Sequence, residues 1–193
     1  MKPTSKVVHL IEQHIDVVKS LIQFNVDNIS ALCDATLDCL KRGGKVVLMG
    51  NGGSAADSQH LAAEFIGRYV RTRRALPAIA LTTDTSIITS IGNDFGFDQI
   101  FERQIAAICT SDDLVIGIST SGNSGNVIRA IEEAKKRNIL TAGFLGADGG
   151  KLAKLVDIPI VISSPVTARV QEAHILIGHI ICEHCDEYFA SNN

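Results

Sequence analysis

An apolar run, Lys45-Val46-Val47-Leu48-Met49, leads into a glycine-rich turn, Gly50-Asn51-Gly52-Gly53, and then directly into a helical pattern. Glycine adopts positive φ without strain and lets the backbone come close to a bound group. Ser54 is a good N-cap, and Asp57 three residues later completes a pattern similar to a capping box. The segment therefore predicts a strand, a tight turn and a helix in immediate succession.

Apolar segments of strand length alternate with helical patterns from residue 45 onwards. Strands are predicted at 45–49, 77–81, 114–118, 139–145 and 158–162, and helices at 55–67, 86–92, 98–109, 125–137 and 167–189. The segment 92–96, which contains two glycines, is predicted as a turn. Near-continuous apolar strands between helices are typical of a parallel sheet with helices on both faces. We therefore predict an α/β fold, an αβα sandwich with a central parallel sheet.

Residues 5–42 carry the apolar spacing of two helices, and Gly43-Gly44 ends the second helix. Because these helices precede the first strand, they need an apolar surface to pack against. Either the sheet or another subunit can supply that surface.

The composition excludes several classes of protein. The chain has 193 residues, of which 46% are apolar and 20% charged, as expected of one soluble globular domain. Aromatic residues make up 5%, tryptophan is absent and the net charge is −3, so we expect no nucleic-acid partner. Four arginines at positions 68, 71, 73 and 74 are most simply a solvated loop, with an anion contact as the alternative.

We expect a reduced, cytoplasmic protein with no membrane partner. No apolar run approaches the length of a membrane span, and the pattern of a signal peptide is not seen. The five cysteines form no small-scaffold disulfide pattern.

A second polar loop, Ser119-Thr120-Ser121-Gly122-Asn123-Ser124, lies between a predicted strand and a predicted helix. The N-terminus of the helix offers unpaired N–H groups, and the hydroxyl groups add further donors, which together suit a phosphate. Both polar loops follow strands, and ligands of parallel α/β sheets bind at the carboxyl ends of strands. One ligand held by both loops is therefore favoured over hydroxyl groups that merely cap turns.

His60 and Glu64 are four residues apart and share one face of a helix, where a phosphosugar or a metal ion can bind. An ordinary polar pair on a solvated face is the alternative. Nucleotide motifs do not fit this region. A dinucleotide fingerprint needs a further glycine where Ala55 and Ala56 stand, and a P-loop needs a lysine, which is absent between 46 and 134.

The last predicted helix mixes polar residues with Ile, Leu and Cys. These polar residues include Gln171, Glu172, His174, His179, Glu183 and His184. We interpret His174 and His184 as packed core residues. A metal cluster of His179, Cys182, His184 and Cys185 is not favoured, because neighbouring helical positions point in different directions.

The chain resembles the phosphoheptose isomerases of the sugar isomerase (SIS) domain superfamily over nearly its whole length. We expect residues 1–193 to form a single SIS domain. The matching motifs are Gly-Asn-Gly-Gly-Ser at 50–54, Gly-Asn-Asp-Phe-Gly at 92–96, Ile-Ser-Thr-Ser-Gly-Asn-Ser at 118–124, His60, Glu64, Gln171, Glu172, His174 and His179. The second polar loop, residues 119–124, is called the serine loop below, and alone it would indicate only a SIS domain. The combination of His60, Glu64, Gln171 and His179 indicates the isomerases.

The resemblance implies a flavodoxin-like fold and a homotetramer, with active sites between subunits and the helical pair 1–42 packed in the oligomer. It implies that the phosphate of a small sugar phosphate is bound by Ser119, Thr120, Ser121 and Ser124. The implied sugar contacts are Asn51, Gly52, Gly53, Ser54, Glu64, Asn93, Asp94 and Gln171. One zinc per subunit is implied, held by His60, Glu64, Gln171 and His179. Some relatives have an aspartate where this chain has Ala168. Either Thr167 takes over the polar contact of that aspartate, or the loop differs.

The implied reaction converts D-sedoheptulose 7-phosphate to D-glycero-D-manno-heptose 7-phosphate through an enediol, the first step of ADP-heptose biosynthesis for lipopolysaccharide core. Glu64 is the implied base and His179 the implied acid. The alternative is a SIS-domain protein without catalysis that binds the replication initiator or senses a sugar phosphate. The presence of both Glu64 and His179 favours the enzyme.

Gln171 and His179 are eight residues apart, which is a rise of about 12 Å and a rotation of about 80° on a straight helix. We therefore expect one metal ion to take these two ligands from different subunits.

Overall fold

Five parallel strands form the centre of the structure, a computed structural model that describes residues 3–192. The strands are β1 (Val46–Gly50), β2 (Ala78–Ala80), β3 (Leu114–Ser119), β4 (Leu140–Gly146) and β5 (Ile158–Ile162). Their order in the sheet is β2-β1-β3-β4-β5, and every neighbouring pair is parallel. The predicted parallel sheet is confirmed.

The order of strands reverses between β1 and β3. The chain moves from β1 to β2 on one side of the sheet, and β3, β4 and β5 follow on the other side. Gly50 at the end of β1 is in register with Ile118 near the end of β3. In parallel sheets such a reversal opens a crevice at the carboxyl ends of the two strands.

In the described part of the chain, residues 3–192, seven α-helices surround the sheet. They are α1 (Pro3–Phe24), α2 (Val26–Lys41), α3 (Gly53–Ile66), α4 (Thr85–Asp94), α5 (Glu102–Ile108), α6 (Gly125–Lys136) and α7 (Thr167–Ser191). Short 3-10 helices lie at Phe97–Gln99 and Leu152–Lys154. The helix predicted at 98–109 is therefore divided into a 3-10 turn and α5. The predicted turn at 92–96 begins later, because α4 continues to Asp94 and only Gly96 has a positive φ, +93°.

Two apolar layers lie on opposite faces of the sheet, because successive strand residues point to opposite sides. One layer contains Leu48, Ile116 and Phe144 together with residues of α2, α3 and α7. The other contains Val47, Val115 and Leu145 together with residues of α5 and α6. This arrangement confirms the three-layer αβα sandwich.

The two N-terminal helices differ in what covers them. Helix α2 buries Leu32 and Leu40 in the apolar layer beside α7, so the sheet side supplies its surface. Helix α1 contacts α7 but leaves Val7, Ile11 and Ile22 more than half exposed. Packing of α1 against another subunit stays a prediction. Within residues 3–192, none of the helices has the length and apolar character needed to cross a membrane.

Helices α3 and α7 lie side by side and run in the same direction. Gly53 at the start of α3 is in contact with Gln171 near the start of α7, and Leu61 is in contact with Gly178 further along both helices. A methyl group on Gly178 would collide with the side chain of Leu61, so the absence of a side chain there lets the helices approach closely. This packing brings the polar residues of the two helices together.

Candidate active site

The glycine-rich turn leads from β1 into α3 without a side-chain cap. Gly52 has a φ of +56° and is itself the N-cap, and α3 begins at Gly53. The predicted capping box is therefore wrong, because the helix begins two residues too early for Ser54 to cap it. Ser54 is buried instead, and its carbonyl oxygen accepts a hydrogen bond of 2.8 Å from the Ser58 hydroxyl.

A pair of amides joins the glycine-rich turn to the first turn of α6, the helix that follows the second polar loop. Asn51 Nδ2 donates to Asn126 Oδ1 at 2.9 Å, and Asn126 Nδ2 donates to Asn51 Oδ1 at 2.8 Å. Asn126 is buried in the first turn of α6, and its Oδ1 also accepts the N–H of Val127. Sequence reasoning missed Asn126. Its only signal was its position two residues after the serine loop.

The serine loop follows β3 and precedes α6. The Oγ atoms of Ser119 and Ser124 lie 2.9 Å apart, so one hydroxyl donates to the other. Ser119 is buried, Thr120 and Ser124 are half-buried, and Ser121 is exposed. Ser124 is the N-cap of α6 but makes no side-chain cap. The first N–H groups of α6 thus have no side-chain cap from Ser124, an arrangement that suits an anion.

Close backbone packing fixes the shape of this loop. Gly122 has a φ of +64°, and a methyl group there would collide with the carbonyl oxygen of Gly149. Asn123 also ties the loop down, because its Oδ1 accepts the N–H of Lys151 at 3.1 Å. The loop is therefore preformed, which lowers the entropic cost of binding a ligand.

His60, Glu64 and His179 come together from α3 and α7. The Nε2 atoms of the two histidines lie 2.9 Å apart, and Glu64 Oε1 lies 3.5 Å from His60 Nε2. The ring of Tyr69 packs against that of His179, with 5.4 Å between ring centroids. The side chain of His60 is 47% exposed and that of Glu64 is 23% exposed, so the cluster opens to solvent. His60 and Glu64 are therefore not an isolated polar pair on a solvated face, because His179 from another helix contacts His60.

Gln171 lies apart from this cluster. Its amide packs against the backbone of Gly53, seven residues before His60 on α3, which corresponds to about 10 Å along the helix. The structure thus gathers three of the four implied metal ligands and leaves the fourth beside the glycine-rich turn. The expectation that Gln171 reaches the metal from a different subunit stays a prediction.

Asn93 and Asp94 lie at the exposed C-terminal end of α4. Asn93 Nδ2 donates to Asp94 Oδ1 at 2.8 Å. Within residues 3–192, no hydrogen bond connects either side chain to the two polar loops or to the His60 cluster. Their predicted role as sugar contacts stays untested by a single chain.

The donor set of the cluster suits zinc chemically, since two imidazole nitrogens and a carboxylate oxygen face one another. The arrangement is that of a hydrogen-bonded pair and not of a preformed metal site. Across residues 3–192, no group of three His, Cys, Asp or Glu side chains has the arrangement needed to hold a metal ion. Binding of an ion would therefore have to replace the hydrogen bond between His60 and His179.

The remaining histidines of α7 differ from each other. His174 is fully buried, and its Nε2 lies 3.2 Å from the carbonyl oxygen of Leu145, which confirms the interpretation as a core residue. Burial lowers the pKa of His174 to about 4, although the hydrogen bond to Leu145 raises it. His184 is 41% exposed and lies 3.8 Å from Asp34, so its interpretation as a core residue is wrong.

The arginine cluster is also not a uniformly solvated loop. The side chain of Arg73 is 1% exposed and forms an ion pair of 3.0 Å with Asp186 on α7. Arg71 lies at the surface, where it pairs with Glu187. Sequence reasoning missed Asp186, because nothing in the local pattern of α7 distinguishes it from a surface acid.

Comparisons with known proteins show which proteins this chain is similar to. The family model described as SIS domain matches residues 9–146. Over 168 residues the chain is 52% identical to the phosphoheptose isomerase of a Nitratiruptor species, covering 87% of this chain and 88% of that protein. Over 182 residues it is 47% identical to the phosphoheptose isomerase of Aquifex aeolicus, covering 94% of this chain and 95% of that protein.

Two solved structures are also similar. The structure of phosphoheptose isomerase from Neisseria gonorrhoeae has a TM-score of 0.89 at 41% identity, covering 95% of this chain and 99% of that one. The structure of a phosphoheptose isomerase from Francisella tularensis has a TM-score of 0.93 at 35% identity. It covers 97% of this chain and 100% of that one.

Proposed function

The chain belongs to the phosphoheptose isomerases of the SIS-domain family, and we propose that it converts D-sedoheptulose 7-phosphate to D-glycero-D-manno-heptose 7-phosphate. The observation that carries this proposal is the meeting of Glu64 and His179 around His60. A carboxylate and an imidazole at one place are the groups that an aldose–ketose isomerisation requires.

The reaction moves a proton from C1 to C2 of the ketose through an enediol. In our proposal Glu64 removes the proton from C1 and returns it to C2. His179 donates a proton to the C2 carbonyl oxygen as the enediol forms and takes up the proton of the C1 hydroxyl as the aldehyde forms. The Glu64 side chain is only 23% exposed, so it is partly shielded from water while it accepts the proton. His179 suits the second role because an imidazole ring has one nitrogen that can donate a proton and one that can accept it.

The two polar loops would bind the rest of the substrate. Their adjacency at the ends of β1 and β3 supports a phosphate held by Ser119, Thr120, Ser121 and Ser124 at the N-terminus of α6. The sugar would contact Asn51, Gly52, Gly53, Ser54, Glu64, Asn93, Asp94 and Gln171. The absence of a side chain at Gly53 supports this assignment, because the Gln171 amide and a ligand can both approach the backbone there.

We propose zinc as the cofactor, one per subunit, with His60, Glu64, Gln171 and His179 as the residues that would hold it. When bound, zinc would supply Lewis-acid polarisation of the substrate carbonyl. The convergence of His60, Glu64 and His179 supports this assignment. The separation of Gln171 from the other three supports a site completed by a second subunit.

We also propose a homotetramer with active sites between its subunits, which the same separation supports. His60 lies about 10 Å along α3 from the glycine-rich turn. Within one chain the acid–base cluster, which consists of His60, Glu64 and His179, is therefore separated from that turn. The exposed apolar face of α1 supports burial of this helix pair against other subunits. We further propose that the enzyme works in the cytoplasm, in the first step of ADP-heptose biosynthesis for lipopolysaccharide core.

The test is to incubate the pure protein with sedoheptulose 7-phosphate in deuterated water and to identify the sugar formed. We expect the aldoheptose phosphate with deuterium at C2, since Glu64 exchanges its proton with solvent. Glu64→Gln and His179→Gln should abolish turnover. Glu132→Gln on the exposed face of α6 and His184→Gln on α7 are the matched controls and should retain it.

Two results would contradict the proposal. Turnover that survives in both Glu64→Gln and His179→Gln would remove these residues from the chemistry. Binding of the sugar phosphate without any product would favour the sensing protein that the sequence left as an alternative.

A further inference from the structure

A buried ion pair lies between the C-terminal end of α3 and helix α7. Arg73 follows α3 in the chain, and its Nε lies 3.0 Å from Asp186 Oδ1 on α7. Both side chains are 1% exposed. Because α3 carries Glu64 and α7 carries His179, this pair connects the two elements that supply the proposed base and acid.

Arg73 also donates hydrogen bonds to two carbonyl groups at the end of α3. Its Nη2 donates to the carbonyl oxygen of Glu64 at 2.9 Å, and its Nη1 donates to that of Phe65 at 2.7 Å. The last carbonyl groups of a helix have no partner within the helix, and a cation there is also stabilised by the helix dipole. The guanidinium group therefore holds the backbone of Glu64 directly.

Asp186 holds the loop that follows α3. Its Oδ2 accepts the backbone N–H groups of Val70 at 3.1 Å and of Arg71 at 2.5 Å. The pKa of Asp186 stays below its usual range: burial alone would raise it, but these N–H groups and the charge of Arg73 outweigh burial. The carboxylate therefore remains charged and keeps all of its hydrogen bonds.

Tyr69, in the loop after α3, contacts His179, the proposed acid. Tyr69 directly precedes Val70, and its ring lies 5.4 Å from that of His179 with 34° between the ring planes. Tyr69 is half-buried and packs against the apolar layer shared by α3 and α7. Movement of the loop would therefore displace the surface against which His179 rests.

From these contacts we infer that Arg73 is a positioning residue for the isomerisation, which holds Glu64 through its backbone and His179 through Asp186 and Tyr69. The inference rests on the proposed function, which gives the proton transfers to Glu64 and His179. A displacement of about 1 Å in a reacting group can cost about 10²-fold in rate. Lysine cannot replace Arg73, because a single ammonium group cannot span a carboxylate and several carbonyl oxygens in the same plane.

Arg73→Lys is the test, with Asp113→Asn as a control for lost stability. Asp113 is 2% exposed and pairs with Lys45 at 2.6 Å just before β3, at the amino end of the sheet and away from the cluster. Both variants should lower Tm, since each weakens a buried pair. Only Arg73→Lys should lower kcat, by about tenfold or more, with KM changed by less than about threefold, measured well below both Tm values.

A second pair of variants tests the contact between the rings of Tyr69 and His179. Tyr69→Phe retains the ring against His179 and should keep most of kcat, whereas Tyr69→Leu removes the ring and should lower kcat more than KM. Wild-type kcat in Arg73→Lys, or an equal loss of kcat in Asp113→Asn, would overturn the inference.

The two proposals fail in distinguishable ways. Absence of turnover in the wild-type protein would contradict the proposed function alone. The crystal structure of Arg73→Lys would then decide the inference: displaced Glu64 and His179 side chains support it, and unchanged positions overturn it.

Discussion

The imidazole Nε2 atoms of His60 and His179 lie 2.9 Å apart, although 119 residues separate them in the chain. One Nε2 donates a hydrogen and the other accepts it, and the tautomers of the two rings decide which ring is the donor. Glu64 Oε1 lies 3.5 Å from the same His60 nitrogen. Three groups that bind either a proton or a metal ion thus converge, and the parallel packing of α3 on α7 fixes where they meet.

This convergence predicts that zinc binding depends on both helices. Wild-type protein dialysed against zinc should retain about one ion per chain, and His60→Gln and His179→Gln should each lower the affinity by about tenfold or more, since each removes one nitrogen ligand. Equilibrium dialysis with atomic emission measures this directly. His184→Gln, on the same helix but outside the cluster, should bind as the wild type does. Undiminished zinc binding in both cluster variants would refute the site.

The Asn51–Asn126 pair predicts a coupling between the two polar loops. Asn126→Ala removes two amide hydrogen bonds and the acceptor for the Val127 N–H, so unfolding free energy should fall by about 1–3 kcal/mol. KM for the sugar phosphate should also rise, because the glycine-rich turn loses its connection to the serine loop. Urea unfolding and steady-state kinetics measure the two effects.

A double-mutant cycle with Asn51→Ala isolates the pair. The two substitutions together should cost clearly less than the sum of the single ones, because either one alone already breaks the shared hydrogen bonds. Simple additivity would mean that the amides act independently of each other.

Buried His174 predicts a stability that depends on pH. The pKa of this residue is lowered to about 4 by burial, whereas an unfolded chain has the ordinary value of 6.5. The folded state therefore binds fewer protons than the unfolded state between these values, so its stability is fully present above pH 6.5 and is lost as pH falls towards 4. The full difference corresponds to about 3 kcal/mol.

Urea unfolding between about pH 4.5 and 7.5 tests this dependence. His174→Gln should show a flatter profile than the wild type, even though its stability near neutral pH is lower. His184→Gln, whose ring is partly exposed, should retain the wild-type slope. An identical slope in all three proteins would exclude His174 as the source.

The sheet and the polar loops could be predicted because their determinants are local. Apolar strands, glycines that need a positive φ and the four-residue spacing of His60 and Glu64 are all visible within short windows of sequence. The helix start at Gly53 was harder to predict, because Ser54 is a good N-cap by residue type and only the backbone geometry excludes it.

The contacts made by distant segments could not be predicted. Arg73 looks like its exposed neighbours in sequence, and its burial depends on Asp186, which lies 113 residues away. Asn126 is likewise identified only by its contact with Asn51, 75 residues earlier. Long-range packing of this kind has no periodic signal along the chain.

The separation of Gln171 from His179 predicts complementation between inactive subunits. Gln171→Ala and His179→Gln should each be inactive alone, because each removes one implied ligand. If an active site takes these two residues from different chains, a mixed oligomer contains some interfaces where both are intact. Coexpression of the two variants with different affinity tags, followed by tandem purification, should therefore restore part of the activity.

A matched pair of variants makes the result decisive. His60 and His179 already lie together in one chain, so His60→Gln combined with His179→Gln should restore no activity if both serve the same site. Failure of the Gln171 pair in mixed oligomers whose composition is verified by mass spectrometry would assign all four residues to a single chain. Recovery in the first pair and none in the second would mean that one protomer supplies Gln171 and its partner supplies the histidine cluster.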